Sequence, residues 1–179
     1  MKNNDLEANA YSKEYAEFIT VTCLEWKPLP EDDRCKDIIA GSMAFLKREN
    51  RAIIYAFAIM QNHLHMIWQI QGDHKREDVQ RDFLKFTSHQ MLKLLRDENS
   101  VLLDELIVNA KDRKRQVWER NSLGIALWSG WAIWQKLNYI HNNPVKAGLC
   151  KYPEDYKYSS AAFYRKGDGR WNFLVHVDG

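Results

Sequence analysis

The chain has 179 residues, 45% of them hydrophobic and 28% charged, which suits one domain with its own core and excludes a disordered polypeptide. A net charge of +2 is too small to announce a nucleic-acid partner, so any such surface must be local. No apolar stretch is long enough to span a bilayer, and the polar, acidic opening at residues 1–9 reads as neither a signal nor a transit peptide.

Residues 1–13 are read as a flexible N-terminus. Residues 15–24 (YAEFITVTCL) alternate and are rich in β-branched and aromatic types, which predicts a first strand. A proline-containing loop leads to residues 33–49, where Ile38, Ile39, Met43, Phe45 and Leu46 mark an amphipathic helix. Residues 51–59 are a second strand, joined through Gln61-Asn62 to a third in what reads as a hairpin. Residues 78–97 form a long helix, and residues 101–108 a shorter one. Residues 116–127 are ambiguous: Val117, Ile125 and Leu127 suggest strand, while Asn121-Ser122 and Gly124 suggest a turn. A last helix runs from about residue 130 to 143 and is expected to stop there, because Pro144 disfavours helical geometry in the residue before it. The β-α-β-β-α-β order predicts an α+β chain: a ferredoxin-like antiparallel sheet with helices on one face, followed by a C-terminal helix. The domain is assigned to residues 14–165, and residues 166–179 to a C-terminal tail. Cys23, Cys35 and Cys150 are odd in number and widely spaced, so neither a zinc ribbon nor a disulfide framework is expected, and a reducing cytoplasm fits.

Two imidazoles stand out. In a strand His63 and His65 point to one face, while Leu64, Met66 and Trp68 point to the other. At that spacing two neutral imidazoles can bind one divalent metal, although the pattern taken alone reads equally well as structural histidines. The run Lys111-Asp112-Arg113-Lys114-Arg115, with Trp118 and Arg120 after it, concentrates positive charge suited to phosphates; its bland counterpart is a solvated loop. Trp118, Trp128 and Trp131 are candidates for stacking on exposed bases, with core packing as the alternative for each. On the last helix Gln135, Tyr139 and Asn143 share one face at i, i+4 and i+8. A metal dyad and a tyrosine together suit phosphoryl transfer on nucleic acid, the phenol attacking phosphorus.

Three stretches carry a family resemblance. Tyr55-Ala56-Phe57-Ala58-Ile59-Met60-Gln61-Asn62-His63-Leu64-His65 resembles the metal-binding hairpin of the REP-associated tyrosine transposases, within the insertion-sequence-200-like HUH transposases. Tyr139-Ile140-His141-Asn142-Asn143-Pro144-Val145-Lys146-Ala147-Gly148-Leu149 resembles their tyrosine signature, and Tyr156-Lys157-Tyr158-Ser159-Ser160 their aromatic followed by paired serines. The resemblance covers about residues 15–165, in order. It implies a transposase that binds hairpin-containing single-stranded DNA, then cleaves and rejoins it through a 5′-phosphotyrosine. It implies His63 and His65 as metal ligands, Asn143 as the third ligand with Gln135 below it, Tyr139 as nucleophile, and Mg²⁺ or Mn²⁺ as the metal. The DNA contacts would be Lys111, Arg113, Lys114, Arg115, Trp118 and Arg120. The chain would act as a monomer or homodimer, in the cytoplasm and on the nucleoid. Two departures are visible: Gln61 stands where the family usually has proline, and Trp131 and Trp134 crowd the entry to the tyrosine helix. The rival readings are a domesticated hairpin-binding protein without catalysis and a metal-dependent small-molecule hydrolase indifferent to Tyr139.

Overall fold

The computed structural model describes residues 15–179; the expected flexible N-terminus lies outside them. Strands β1 (Ala16–Thr22), β2 (Ala52–Ile59), β3 (His63–Ile70) and β4 (Leu123–Leu127) form one antiparallel sheet in the order β2-β3-β1-β4. That is the expected ferredoxin-like plan, and the ambiguous stretch resolves as an edge strand. Helices α1 (Asp33–Arg48) and α2 (Arg76–Asp97) cover one face. Their Ile39, Met43, Phe83 and Met91 bury against Ile19, Val21, Leu64 and Met66 of the sheet. Helix α4 (Gly130–Lys146) lies on the opposite face, where Leu137 and Ile140 rest on Ala56, Ala58 and Ile67. Alanines at two of those positions leave room for the helix to approach the sheet closely.

A bulge sets that pattern. The β2–β3 register slips between Ile54 and Ala56, leaving Tyr55 as the extra residue. Ile54 faces α1 and α2, Ala56 faces α4, and Phe57 returns to the first face, so the parity of the strand changes at Tyr55. The C-terminal chain then covers the outer side of β2. Ser159 bridges to Ala58, Leu174 bridges to Ile54, and short helix α5 (Ala161–Lys166) joins the two segments. An otherwise open edge is thereby blunted.

Two expectations are corrected. The shorter helix shrinks to a single turn, α3 (Leu102–Glu105). Helix α4 does not stop before Pro144 but carries it inside and ends at Lys146. Pro144 is buried, and the exit is closed by the bonds Gly148 N–H to Val145 O and Leu149 N–H to Pro144 O. With Gly148 at φ 71°, this is a Schellman cap, and its hydrogen bonds outweigh the local clash that proline imposes on Asn143. No helix among the described residues is long and apolar enough to cross a membrane.

Candidate active site on the helix-α4 face

The register of β3 against β1 places His63 opposite Thr22 and His65 opposite Thr20. Both imidazoles therefore face α4, as the alternation of β3 requires. Their Nε2 atoms lie 3.1 Å apart, while the outer nitrogens are held by neighbours: His63 Nδ1 is 2.7 Å from Asn62 Oδ1, and His65 Nδ1 is 2.9 Å from Thr20 Oγ1. One consistent chain of protons joins them. Thr20 O–H donates to His65 Nδ1, His65 Nε2–H to His63 Nε2, and His63 Nδ1–H to Asn62 Oδ1. Because a hydroxyl also accepts, Thr20 Oγ1 can instead accept a hydrogen bond from His65 Nδ1–H, which frees both Nε2 lone pairs.

At that 3.1 Å separation the two nitrogens would be able to hold one divalent cation between them. Burial holds the His63 pKa below its ordinary value. His65 falls to about 3, through burial first and then the charges of His63 and Lys136. Both rings are thus neutral at physiological pH, as ligation requires. No cluster of three His, Cys, Asp or Glu side chains suited to a metal occurs among the described residues.

Tyr139 reaches the dyad from α4. Its ring is 5.3 Å from His65 and 5.9 Å from Phe18, edge to face, and it stays 41% exposed. Lys136 Nζ lies 5.5 Å and Lys146 Nζ 5.8 Å from the same ring, so two ammonium groups flank the phenol. Asn143 donates its Nδ2–H to the Tyr139 carbonyl at 2.9 Å. Neither Asn143 nor Gln135 hydrogen-bonds the imidazoles among the described residues; Gln135 is exposed.

The third sequence motif explains how α4 is fixed. Ser160 Oγ accepts from Phe57 N–H at 3.0 Å and lies 2.8 Å from His141 Nε2, two residues beyond Tyr139. All three groups are buried, and burial lowers the His141 pKa to about 4. Tyr156 O–H donates to the Ile59 carbonyl, so this motif ties β2 and α4 together.

The basic run divides. Lys111, Arg113, Lys114 and Arg120 are exposed, with Asp112 pairing to both Arg113 and Arg120. Arg115 turns inward, donating to the Leu103 carbonyl at 2.8 Å. Trp118 is a correction: it is 4% exposed, and its indole N–H donates to Thr87 Oγ1 inside the core, so it has no face to offer a base. Trp128 and Trp131 remain exposed. Sequence reading missed Arg81, Lys85 and His89, which line a groove of about 660 Å³ together with Arg113 and Arg120. Their i, i+4, i+8 spacing along α2 was the available sign. It missed Trp26 as well, whose ring lies 5.7 Å from His63.

No family model matches the sequence, and comparison with curated proteins gives no match. Among solved structures, a chain from Deinococcus radiodurans R1 described as a candidate transposase is 13% identical, covering 70% of this chain and 88% of its own at a TM-score of 0.47. A REP-associated tyrosine transposase bound to a REP hairpin aligns at a TM-score of 0.65 with 21% identity, covering 88% of this chain and 83% of its own. This chain has the fold of that transposase.

Proposed function

We propose that the protein is a single-tyrosine HUH nuclease and strand transferase of the REP-associated type, acting on single-stranded DNA beside a hairpin. The observation that carries the reading is the juxtaposition, within one chain, of two Nε2 atoms 3.1 Å apart and a tyrosine ring 5.3 Å from the nearer imidazole. The three sequence motifs support it, as does a shared fold with a transposase that holds a REP hairpin. His63, His65 and the Asn143 amide would hold Mg²⁺ or Mn²⁺, and that ion would polarise the scissile phosphate and offset charge in the transition state.

The chain's own residues supply the rest. The Tyr139 oxygen gives up its proton and attacks phosphorus, the bond from phosphorus to the 3′ oxygen breaks, and the leaving oxygen takes up a proton to become the 3′-hydroxyl. The product is a 5′-phosphotyrosine, which keeps the phosphoester available for rejoining when a 3′-hydroxyl reverses the step. Lys136 and Lys146 stand where they can neutralise phosphate oxygens. Exposed Arg113 and Arg120, with Arg81 and Lys85 across the groove, offer charge for a hairpin stem. Tyrosine and dyad come from one chain, so a monomer holds a complete set.

The test is to incubate the protein with labelled single strands carrying foldback hairpins and Mn²⁺, then separate it under denaturing conditions beside Tyr139→Phe. A metal-dependent covalent band absent from the variant is expected. Hairpin binding with no band across metals and substrates would replace the nuclease with the domesticated DNA-binding protein, and indifference to DNA would favour the small-molecule hydrolase.

A further inference from the structure

Next to the dyad, on the side of His63, the chain makes a costly turn. Glu25 (φ 52°, ψ 31°) and Trp26 (φ 58°) both occupy the left-handed region, although neither is glycine, asparagine or aspartate. Such strain persists only where its surroundings impose it. Here Leu24 N–H donates to the Val117 carbonyl, and Glu25 N–H donates to Glu119 Oε1, both at 2.8 Å. Lys27 closes the turn on the Glu25 carboxylate at 2.7 Å.

Packing does not account for the turn's most prominent side chain. Leu24 and Leu29 on either side enter the core, yet Trp26 is 59% exposed. Its ring partner among the described residues is His63, met edge to face at 5.7 Å. The same turn is pinned to Val117 and Glu119, which follow the basic run, and Glu119 N–H donates to the Thr22 carbonyl opposite His63. Tyr139 approaches the dyad through His65 and Trp26 through His63. Glu119, which lines the basic groove, thus bonds the turn that carries the indole, and the indole meets the dyad.

We propose that Trp26 is a stacking platform for the nucleobase next to the scissile phosphate, an assignment that rests on the nuclease reading above. Every base has a π-face, so a rigidly presented indole seats the strand without reading its sequence. The left-handed turn fixes where the indole points, and the stacked base sets which phosphate lies over the two Nε2 atoms.

The test compares binding of a short fluorescein-labelled oligothymidylate, and of the matching abasic deoxyribose-phosphate strand, by anisotropy in Mg²⁺. Trp26→Ala is expected to weaken binding of the oligothymidylate by roughly 5- to 150-fold, the value of one stacked base, and to leave the abasic strand's affinity unchanged. Trp26→Phe should keep most of the affinity. Trp26→Gly should melt above Trp26→Ala, because glycine adopts this φ freely, and yet bind as weakly, which separates stacking from folding. The platform is overturned if the wild type does not bind the oligothymidylate, if Trp26→Ala binds it as the wild type does, or if the loss is equal on the abasic strand. A Tyr139 adduct that forms while Trp26→Ala behaves as wild type retains the nuclease and removes the platform. Base-dependent binding through Trp26 without any adduct does the reverse.

Discussion

Replacing Ser160 by alanine tests whether the paired-serine motif serves the tyrosine. The hydroxyl is fully buried, accepts the Phe57 N–H at 3.0 Å and meets His141 Nε2 at 2.8 Å. Alanine fits the space but leaves two buried polar groups without partners, each costing about 1–3 kcal/mol. The sum, about 2–6 kcal/mol, lowers the melting temperature of a chain this size by roughly 4–24 °C. The loss should not be confined to stability. His141 and Tyr139 stand two residues apart on α4, so a helix released from β2 carries the phenol away from His65. Assayed well below its melting temperature, Ser160→Ala should form the covalent adduct more slowly than wild type while binding hairpin DNA unchanged. Ser159→Ala serves as comparison, since that hydroxyl accepts the N–H of Ala161, two residues on, at 3.1 Å. A Ser160→Ala protein that melts with the wild type, or loses stability without slowing adduct formation, would refute the reasoning.

Three further outcomes are expected. His141 is held near about 4 against an ordinary 6.5, so the folded state binds its proton less readily than the unfolded chain. Its contribution is complete above pH 6.5 and lost as pH falls toward 4, a difference of about 3 kcal/mol, and His65 adds to the same decline. Thermal melts across that window should show the slope, and His141→Gln should flatten it. Mn²⁺ at about a hundred times its dissociation constant should stabilise the wild type by about 2.7 kcal/mol, read as a rise in melting temperature. His63→Ala should abolish that rise while melting near the wild type in EDTA; a persisting rise would place the ion elsewhere. Gly124→Ala would push a methyl group into Glu17 and to within 2.7 Å of Arg76 Nη2, breaking their ion pair at a cost of about 1–3 kcal/mol. Gly130→Ala, where a methyl meets nothing within 4 Å, should lack that penalty in parallel urea titrations.

What the sequence disclosed follows the range of each interaction. The alternation along residues 63–70 is a local property, so the shared face of His63 and His65 could be read before any contact was known. The helical spacing of Gln135, Tyr139 and Asn143 was equally local. The bulge at Tyr55 was hidden, because alanines and aromatics on both sides of it look like one continuous buried strand. The stop expected at Pro144 failed for a related reason: the rule expresses one neighbour's clash, whereas the outcome includes the cap at Gly148 and the burial of the proline.

The tryptophans show where local reading ends. Trp118 follows a run of arginines and lysines, and by sequence alone that company suits a nucleic-acid surface. Its fate is decided by Thr87 and Cys23, 31 and 95 positions away, which draw the indole into the core. Trp26 lies between a cysteine and two prolines in what reads as an ordinary loop, and bonds to Val117 and Glu119, more than 90 positions away, hold its turn beside His63. The basic run thus contributes in two ways: its exposed arginines offer charge, and the segment that follows holds the turn that carries a ring beside the dyad. Glu119→Ala separates the two. It removes the carboxylate that accepts Glu25 N–H without deleting a positive charge or an aromatic ring. If the turn positions the indole, that variant should lose affinity for oligothymidylate toward the level of Trp26→Ala. Removing a negative charge should by itself strengthen DNA binding, so tighter binding would show that charge alone governs this surface.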